Sequence, residues 1–159
     1  MISNWFKKKE SEAERILNRC IEVSYEITHC HEELSRDGMA EVLIFCICVA
    51  LHRKKDPQVI EDVLIMLIRF IAEDNDVPKD IDMIAKHITM RTEDYATIIK
   101  DIARNPASFD LNPLYCAFYR YPLTDVHLAV AEPKNAESFR VTVLKILDML
   151  LVKNNTYTL

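Results

Sequence analysis

The sequence Val42-Leu-Ile-Phe-Cys-Ile-Cys-Val-Ala-Leu51 is apolar on every side, and it decides the fold class. A second apolar stretch, Val63–Ala72, follows after the charged turn His52–Pro57. A helix that is apolar all round is buried by several neighbours, so residues 39–74 are predicted to form a helix pair at the centre of a core. Short apolar runs also fit buried strands, which leaves a strand at 42–51 as the alternative. Helix is favoured because the sequence offers no partner strand.

The glycine content also indicates a helical fold. The chain has one glycine in 159 residues, whereas average proteins have about 7%. Because hairpins and left-handed turns use glycine, we predict an all-α fold, an irregular bundle of about six or seven helices. The length fits one domain with one core, with residues 1–10 as a lead-in and 154–159 as a frayed tail.

Capping signals place the helix ends. Ser11 and Glu14 have the spacing of a capping box, which predicts a first helix from Ser11 to about Ser35. The only glycine, Gly38, stands where a left-handed C-cap would end that helix. Asp56 before a proline predicts the start of the third helix. Thr92 is the expected N-cap of a helix that follows a shorter one around 81–88. The last two helices are predicted at 114–121 and 136–153, with an undecided extended or helical stretch at 126–130.

Charge and cysteine content restrict partners and location. The net charge of −5 argues against nucleic acid, and the apolar runs are shorter than the ~18 residues of a membrane span. Five cysteines, an odd number, fit reduced thiols, so a cytoplasmic location is predicted. With one glycine, phosphate-binding glycine loops are excluded, and no cofactor is predicted. The oligomeric state does not follow from the sequence.

One face of the first helix carries acidic side chains and a histidine: Glu22, Glu26, His29 and Glu33. Glu26 and His29 have the spacing used in carboxylate-bridged di-metal bundles. No second glutamate-histidine motif exists to complete such a site, so a solvated acidic face is favoured over a metal site.

Residues inside the apolar stretches are interpreted as packing rather than chemistry. Cys46 and Cys48 point different ways on a helix and have no second ligand pair for zinc, which favours core packing. Arg69 shares a polar stripe with Asp62 and Glu73. A buried arginine is costly unless paired, so we expect this stripe to reach solvent; an ion pair with another helix is the alternative.

The segment Leu114–Pro122 concentrates aromatic and arginine side chains, the types enriched in binding hot spots. The predicted partner-binding residues are Tyr115, Tyr119, Arg120 and Tyr121. The alternative is that this segment closes the bundle as part of the core. The favoured function is a non-enzymatic, cytoplasmic protein-protein interaction module of the adaptor or inhibitor type, with another protein as partner. The alternative is a helical protein that binds a metal or small ligand through the acidic face of the first helix.

Overall fold

The computed structural model describes residues 9–29, 34–73, 80–119 and 133–151, and within these ranges all regular structure is helical. The all-α prediction is confirmed. The six helices of these ranges are α1 (Glu12–His29), α2 (Arg36–Leu51), α3 (Pro57–Glu73), α4 (Ile81–Arg104), α5 (Asn112–Tyr119) and α6 (Pro133–Leu151).

Helix α2 lies at the centre of the bundle. It contacts each of the other five helices, and every side chain from residue 41 to 49 is buried. The helical reading of 42–51 is therefore confirmed. Its Phe45 ring packs edge-on against Phe118 of α5 at 5.8 Å, and Phe118 in turn packs against Phe139 of α6 at 5.9 Å. These aromatic contacts join α2, α5 and α6 into one core.

Helix α3 is the second member of the predicted central pair, but it lies at the side of the core. It packs mainly against α1 and α4 and contacts α2 little. Only Val63 and Leu67 of α3 are fully buried. Burying an unpaired charge is costly. Arg69 and Glu73 on this helix are exposed to solvent. The polar stripe therefore reaches solvent, as expected.

Two predicted helix starts are confirmed by their hydrogen bonds. The backbone N–H of Glu14 donates to Ser11 Oγ at 3.1 Å, and the N–H of Ser11 donates to Glu14 Oε2 at 2.7 Å, which completes a capping box. The N–H of Gln58 donates to Asp56 Oδ1 at 3.0 Å. Both caps satisfy backbone donors that the first helical turn leaves unpaired.

The prediction that Gly38 ends the first helix is wrong. Helix α1 is described to His29, residues 30–33 lie outside the described ranges, and Gly38 lies in the first turn of α2. Ser35 is the N-cap of α2, and its Oγ accepts from the N–H of Gly38 at 3.1 Å. A Cβ at position 38 would lie 2.1 Å from the carbonyl oxygen of Phe118. The glycine is needed because α2 and α5 approach closely, not because the chain turns.

The predicted helix break at Thr92 is also wrong. Helix α4 is continuous from Ile81 to Arg104, and Thr92 Oγ1 donates to the carbonyl of Thr89 inside it. No glycine or proline interrupts this stretch, so the helical ladder continues through the threonine. Its N-cap is Asp80, whose carboxylate accepts from the N–H of Asp82 at 2.9 Å.

The last two helices begin two and three residues before their predicted starts. The helix predicted at 114–121 is described as Asn112–Tyr119 and the helix predicted at 136–153 as Pro133–Leu151, and residues 120–121 and 152–153 lie outside the described ranges. The stretch 126–130 lies outside the described residues. Among the described helices, none is both long enough and apolar enough to cross a bilayer.

Candidate functional site: a buried glutamate network beside an apolar cleft

Glu41 is a charged side chain in the middle of the core, with 2% of its side chain exposed. Its Oε2 accepts a hydrogen bond from the hydroxyl of Tyr95 at 2.6 Å. Its Oε1 lies 2.5 Å from Nε2 of His87 and accepts from Nε of Arg91 at 3.2 Å. Both carboxylate oxygens are therefore held by side chains of α4. We call these four residues the Glu41 network.

The sequence of α4 explains how one helix supplies all three partners. His87, Arg91 and Tyr95 are spaced by four residues, so they lie on one face of the helix. That face turns toward α2, with Tyr95 fully buried and its ring 5.4 Å from Phe45 in an edge-on contact. One face of α4 thus provides both the apolar contact of the Tyr95 ring with Phe45 and the polar contacts with Glu41.

The electrostatics of the network favour a fixed arrangement of charges. A buried carboxylate costs several kcal/mol unless it is paired and hydrogen-bonded. The guanidinium of Arg91, whose side chain is 25% exposed, supplies the opposite charge, and it also lies 3.7 Å from Asp94. Burial, and then the neighbouring Glu41 carboxylate, raise the pKa of Tyr95 well above its ordinary value. The Tyr95 hydroxyl therefore remains a hydrogen-bond donor.

A cleft of about 510 Å³ opens beside the network between α2, α3 and α4. Glu41 and His87 contribute its polar wall, and most of the remaining lining is apolar. We call it the α2–α4 cleft. Its other lining residues are Asp37, Ala40, Ile44, Ile71, Asp80, Met83, Ile84 and Ile88.

Apolar side chains around this cleft are open to solvent. Met83 in the cleft is 68% exposed. A smaller adjoining cavity shares Asp37, Ala40 and Ile71 with the cleft. That cavity is also lined by Tyr25, which is 60% exposed, and by Met39, which is 38% exposed. Concave apolar surface with a few polar groups is the usual character of a binding site.

The predicted aromatic binding residues are only partly described. Tyr115 and Tyr119 are half-buried, with ring centroids 4.5 Å apart, and Tyr115 packs edge-on against Phe139 at 5.4 Å. These contacts are those of a helix that closes the bundle. Arg120 and Tyr121 lie outside the described residues, so the binding role of this segment stays a prediction.

The predicted metal-ligating residues are spread along an exposed face of α1. Glu22 lies 3.3 Å from Arg19, and Glu26 lies 3.7 Å from Lys145 of α6. His29 is exposed, and Glu33 lies outside the described ranges. In the described part of the chain, no three acidic, histidine or cysteine side chains are grouped as metal ligands would be. The metal site stays a prediction.

The described cysteines are buried free thiols: Cys20, Cys46, Cys48 and Cys116. Burial raises the pKa of Cys20 and of Cys48 to about 12, and it raises the pKa of Cys46 well above its ordinary value. Burial also raises the pKa of Cys116. Thiols with raised pKa values are poor nucleophiles, which agrees with the packing interpretation.

Sequence reasoning missed Glu41, although the sequence carries a signal for it. Glu41 stands directly before the ten-residue apolar run, on a helix predicted to be buried all round. A charged residue there requires partners from another helix. The matching row on α4 is His87, Arg91 and Tyr95.

Comparisons of this chain with models of protein families, with curated proteins and with solved structures found no match.

Proposed function

We propose that this chain is a non-enzymatic, cytoplasmic protein-protein interaction module that binds a segment of another protein in the α2–α4 cleft. The observation that carries the proposal is the exposed Met83 side chain in the concave apolar lining beside a fixed polar wall. Methionine is common at surfaces that bind other proteins because its flexible side chain adapts to the partner.

The chemistry of the cleft defines the partner. Asp37 and Asp80 line it together with isoleucine and methionine side chains, and the whole chain carries a net charge of −5. Complementary charge increases the rate of association and excludes wrong partners. The fitting occupant is an amphipathic segment that places an apolar side chain in the cleft and basic side chains at its edge.

The Glu41 network supports this function mechanically. It ties α2 to α4, the two helices that supply most of the cleft lining. A wall that is already held in position loses less conformational entropy when a partner binds. Glu41 and His87 belong to both the network and the lining, and His87, with its side chain 37% exposed, is the more accessible of the two to a partner.

The test is capture of a partner from the native cell by tagged full-length chains. We expect Met83→Glu to lose a specific protein that the wild type retains, because a charge in the apolar cleft must be desolvated. Met90→Glu is the matched control: Met90 is 57% exposed on the same helix, two turns away, and does not line the cleft.

A third variant separates the two candidate surfaces. If Arg120→Ala with Tyr121→Ala removes the captured protein while Met83→Glu retains it, the aromatic segment is the binding surface and the cleft proposal is wrong. Equal capture by the wild type, Met83→Glu and Met90→Glu also contradicts the cleft proposal. Thermal unfolding of each variant shows whether a loss of capture reflects a loss of folding.

A further inference from the structure

Helix α3 has more apolar surface than its position in the bundle covers. It is nearly as apolar as α2, yet only Val63 and Leu67 of its 17 residues are fully buried. Ile65, at the middle of the helix, is 41% exposed, and Ile68 and Ala72 are half-buried. The charged residues Glu61, Asp62 and Arg69 lie on this same side of the helix. The exposed side of α3 therefore combines an apolar centre at Ile65 with charges of both signs, the composition of a small interface.

The residues on this side follow a regular spacing. Glu61, Ile65, Ile68 and Ala72 recur at steps of four, three and four, the spacing of side chains at the contact between two packed helices. Arg69 lies beside them and is exposed. We call these five residues the α3 outer stripe. It turns away from Val63 and Leu67, since it is about half a turn from them on the helix.

The charges of the α3 outer stripe are arranged symmetrically about Ile65. Helix α3 runs from Pro57 to Glu73, so Ile65 is its central residue. Glu61 precedes Ile65 by four residues and Arg69 follows it by four, which is about 6 Å along the axis in each direction. Arg69 makes no ion pair or hydrogen bond within the part of the chain that the structure describes.

A second copy of the same helix complements this arrangement. When two α3 helices lie antiparallel with a two-fold axis at Ile65, their full lengths overlap and the two Ile65 side chains meet. Arg69 of one copy then lies level with Glu61 and Asp62 of the other, and the symmetry produces this contact twice. A two-fold interface requires such a self-complementary surface.

We propose that the chain forms a two-fold symmetric homodimer through antiparallel packing of the α3 outer stripes. The apolar residues supply the buried centre, and the two sets of Arg69 contacts with Glu61 and Asp62 fix the antiparallel register. The interface is separate from the α2–α4 cleft in its named residues, so the dimer does not depend on the proposed partner.

The test is sedimentation equilibrium of the full-length chain from about 1 µM to about 1 mM, the range in which small interfaces dissociate. We expect the wild type to change from monomer to dimer within it. Arg69→Glu places carboxylates opposite Glu61 and Asp62, and Glu61→Lys with Asp62→Lys places ammonium groups opposite Arg69. We expect each variant alone to dimerise about ten-fold or more weakly than the wild type, because like charges then face each other.

Mixing the two charge-reversed chains is the decisive arm. In a mixed dimer every facing pair is again of opposite sign, so we expect a one-to-one heterodimer with affinity near that of the wild type. Lys86→Glu, at an exposed position on α4, is the matched charge-reversal control and should dimerise normally. Circular dichroism establishes that each variant is folded.

Three results would overturn the dimer. The first is a wild-type chain that stays monomeric over the whole range. The second is a dimer that Arg69→Glu leaves unchanged. The third is a mixture of the two reversed chains that shows no heterodimer. The last two outcomes would also assign any wild-type dimer to another surface.

Discussion

At the scale of single residues, Glu41 links the core to the proposed function. Its carboxylate accepts from Tyr95 and Arg91 and contacts His87, although nearly all of the side chain is buried. Removing one member of such a group costs more stability than replacing the whole group with apolar side chains, because the remaining polar atoms stay buried without partners. Single substitutions in the Glu41 network should therefore produce measurable losses of stability.

We predict that Glu41→Ala lowers the free energy of unfolding by about 3 kcal/mol, since it leaves the buried Tyr95 hydroxyl without its acceptor and leaves Arg91 with Asp94 at the surface in place of the buried carboxylate. Urea denaturation monitored by circular dichroism measures the change. Glu22→Ala is the control, because Glu22 is exposed and, among the described residues, pairs with Arg19 alone; its effect should stay within about 0.5 kcal/mol.

A double-mutant cycle shows whether the energy belongs to the network itself. Tyr95→Phe removes the hydroxyl and keeps the ring against Phe45, so it should cost about 1.5–3 kcal/mol in the wild type. In the Glu41→Ala background the same substitution should cost much less, because the acceptor is already gone. If the losses of unfolding free energy from the two substitutions simply add, Tyr95 and Glu41 do not stabilise the protein through their mutual contact.

At the scale of elements, the contact between α2 and α5 depends on the absence of one side chain. A Cβ at position 38 would lie 2.1 Å from the Phe118 carbonyl oxygen, which belongs to the backbone. Close approach of this kind is one of the reasons a helix retains glycine despite its conformational cost.

We predict that Gly38→Ala destabilises the protein by about 1–3 kcal/mol, the range typical of overpacking. The sign is the informative part, because the same substitution at an open helical position stabilises by about 1 kcal/mol. Thermal and urea unfolding give the sign directly. A stabilised Gly38→Ala chain would show that α5 does not lie against the start of α2.

At the scale of the whole molecule, the buried thiols make stability depend on alkaline pH. The pKa of Cys20 and that of Cys48 rise to about 12 in the fold, from 9.0. The folded state therefore keeps these protons above pH 9, whereas the unfolded chain releases them. Their contribution to stability is complete below pH 9 and is lost as the pH rises toward 12.

We predict that the free energy of unfolding falls by about 1.4 kcal/mol for each such thiol between pH 8 and pH 10. The double variant Cys20→Ala with Cys48→Ala should be less stable at pH 8, because it leaves cavities, but should lose less stability over this pH interval. Urea titrations at the two pH values measure both slopes. Equal slopes would contradict the burial of these thiols.

The fold class could be predicted from the sequence because burial and helix periodicity are local signals. The apolar run at 42–51, the capping box at Ser11 and the Asp56-Pro57 start are each specified by a few neighbouring residues. Gly38 and Thr92 were misassigned because their roles depend on what lies beside them in space. The glycine serves a contact with α5, and the threonine bonds back into a helix that nothing interrupts.

The candidate site could not be predicted as a unit for a similar reason. Glu41 and Tyr95 are 54 residues apart, and only the packing of α2 on α4 brings them together. The acidic face of α1 was easier to see because its residues are close in sequence. Closeness in sequence on an exposed helix face, however, does not assemble a site without ligands from other helices.

The most direct test of the proposed function is the dissociation constant of the captured partner for Met83→Glu relative to Met90→Glu, measured by calorimetry. The two methionines are similarly exposed on one helix, and only Met83 lines the α2–α4 cleft. We predict that Met83→Glu binds at least about ten-fold more weakly than Met90→Glu, whose affinity should match the wild type. Equal dissociation constants for the two variants would contradict binding in the cleft.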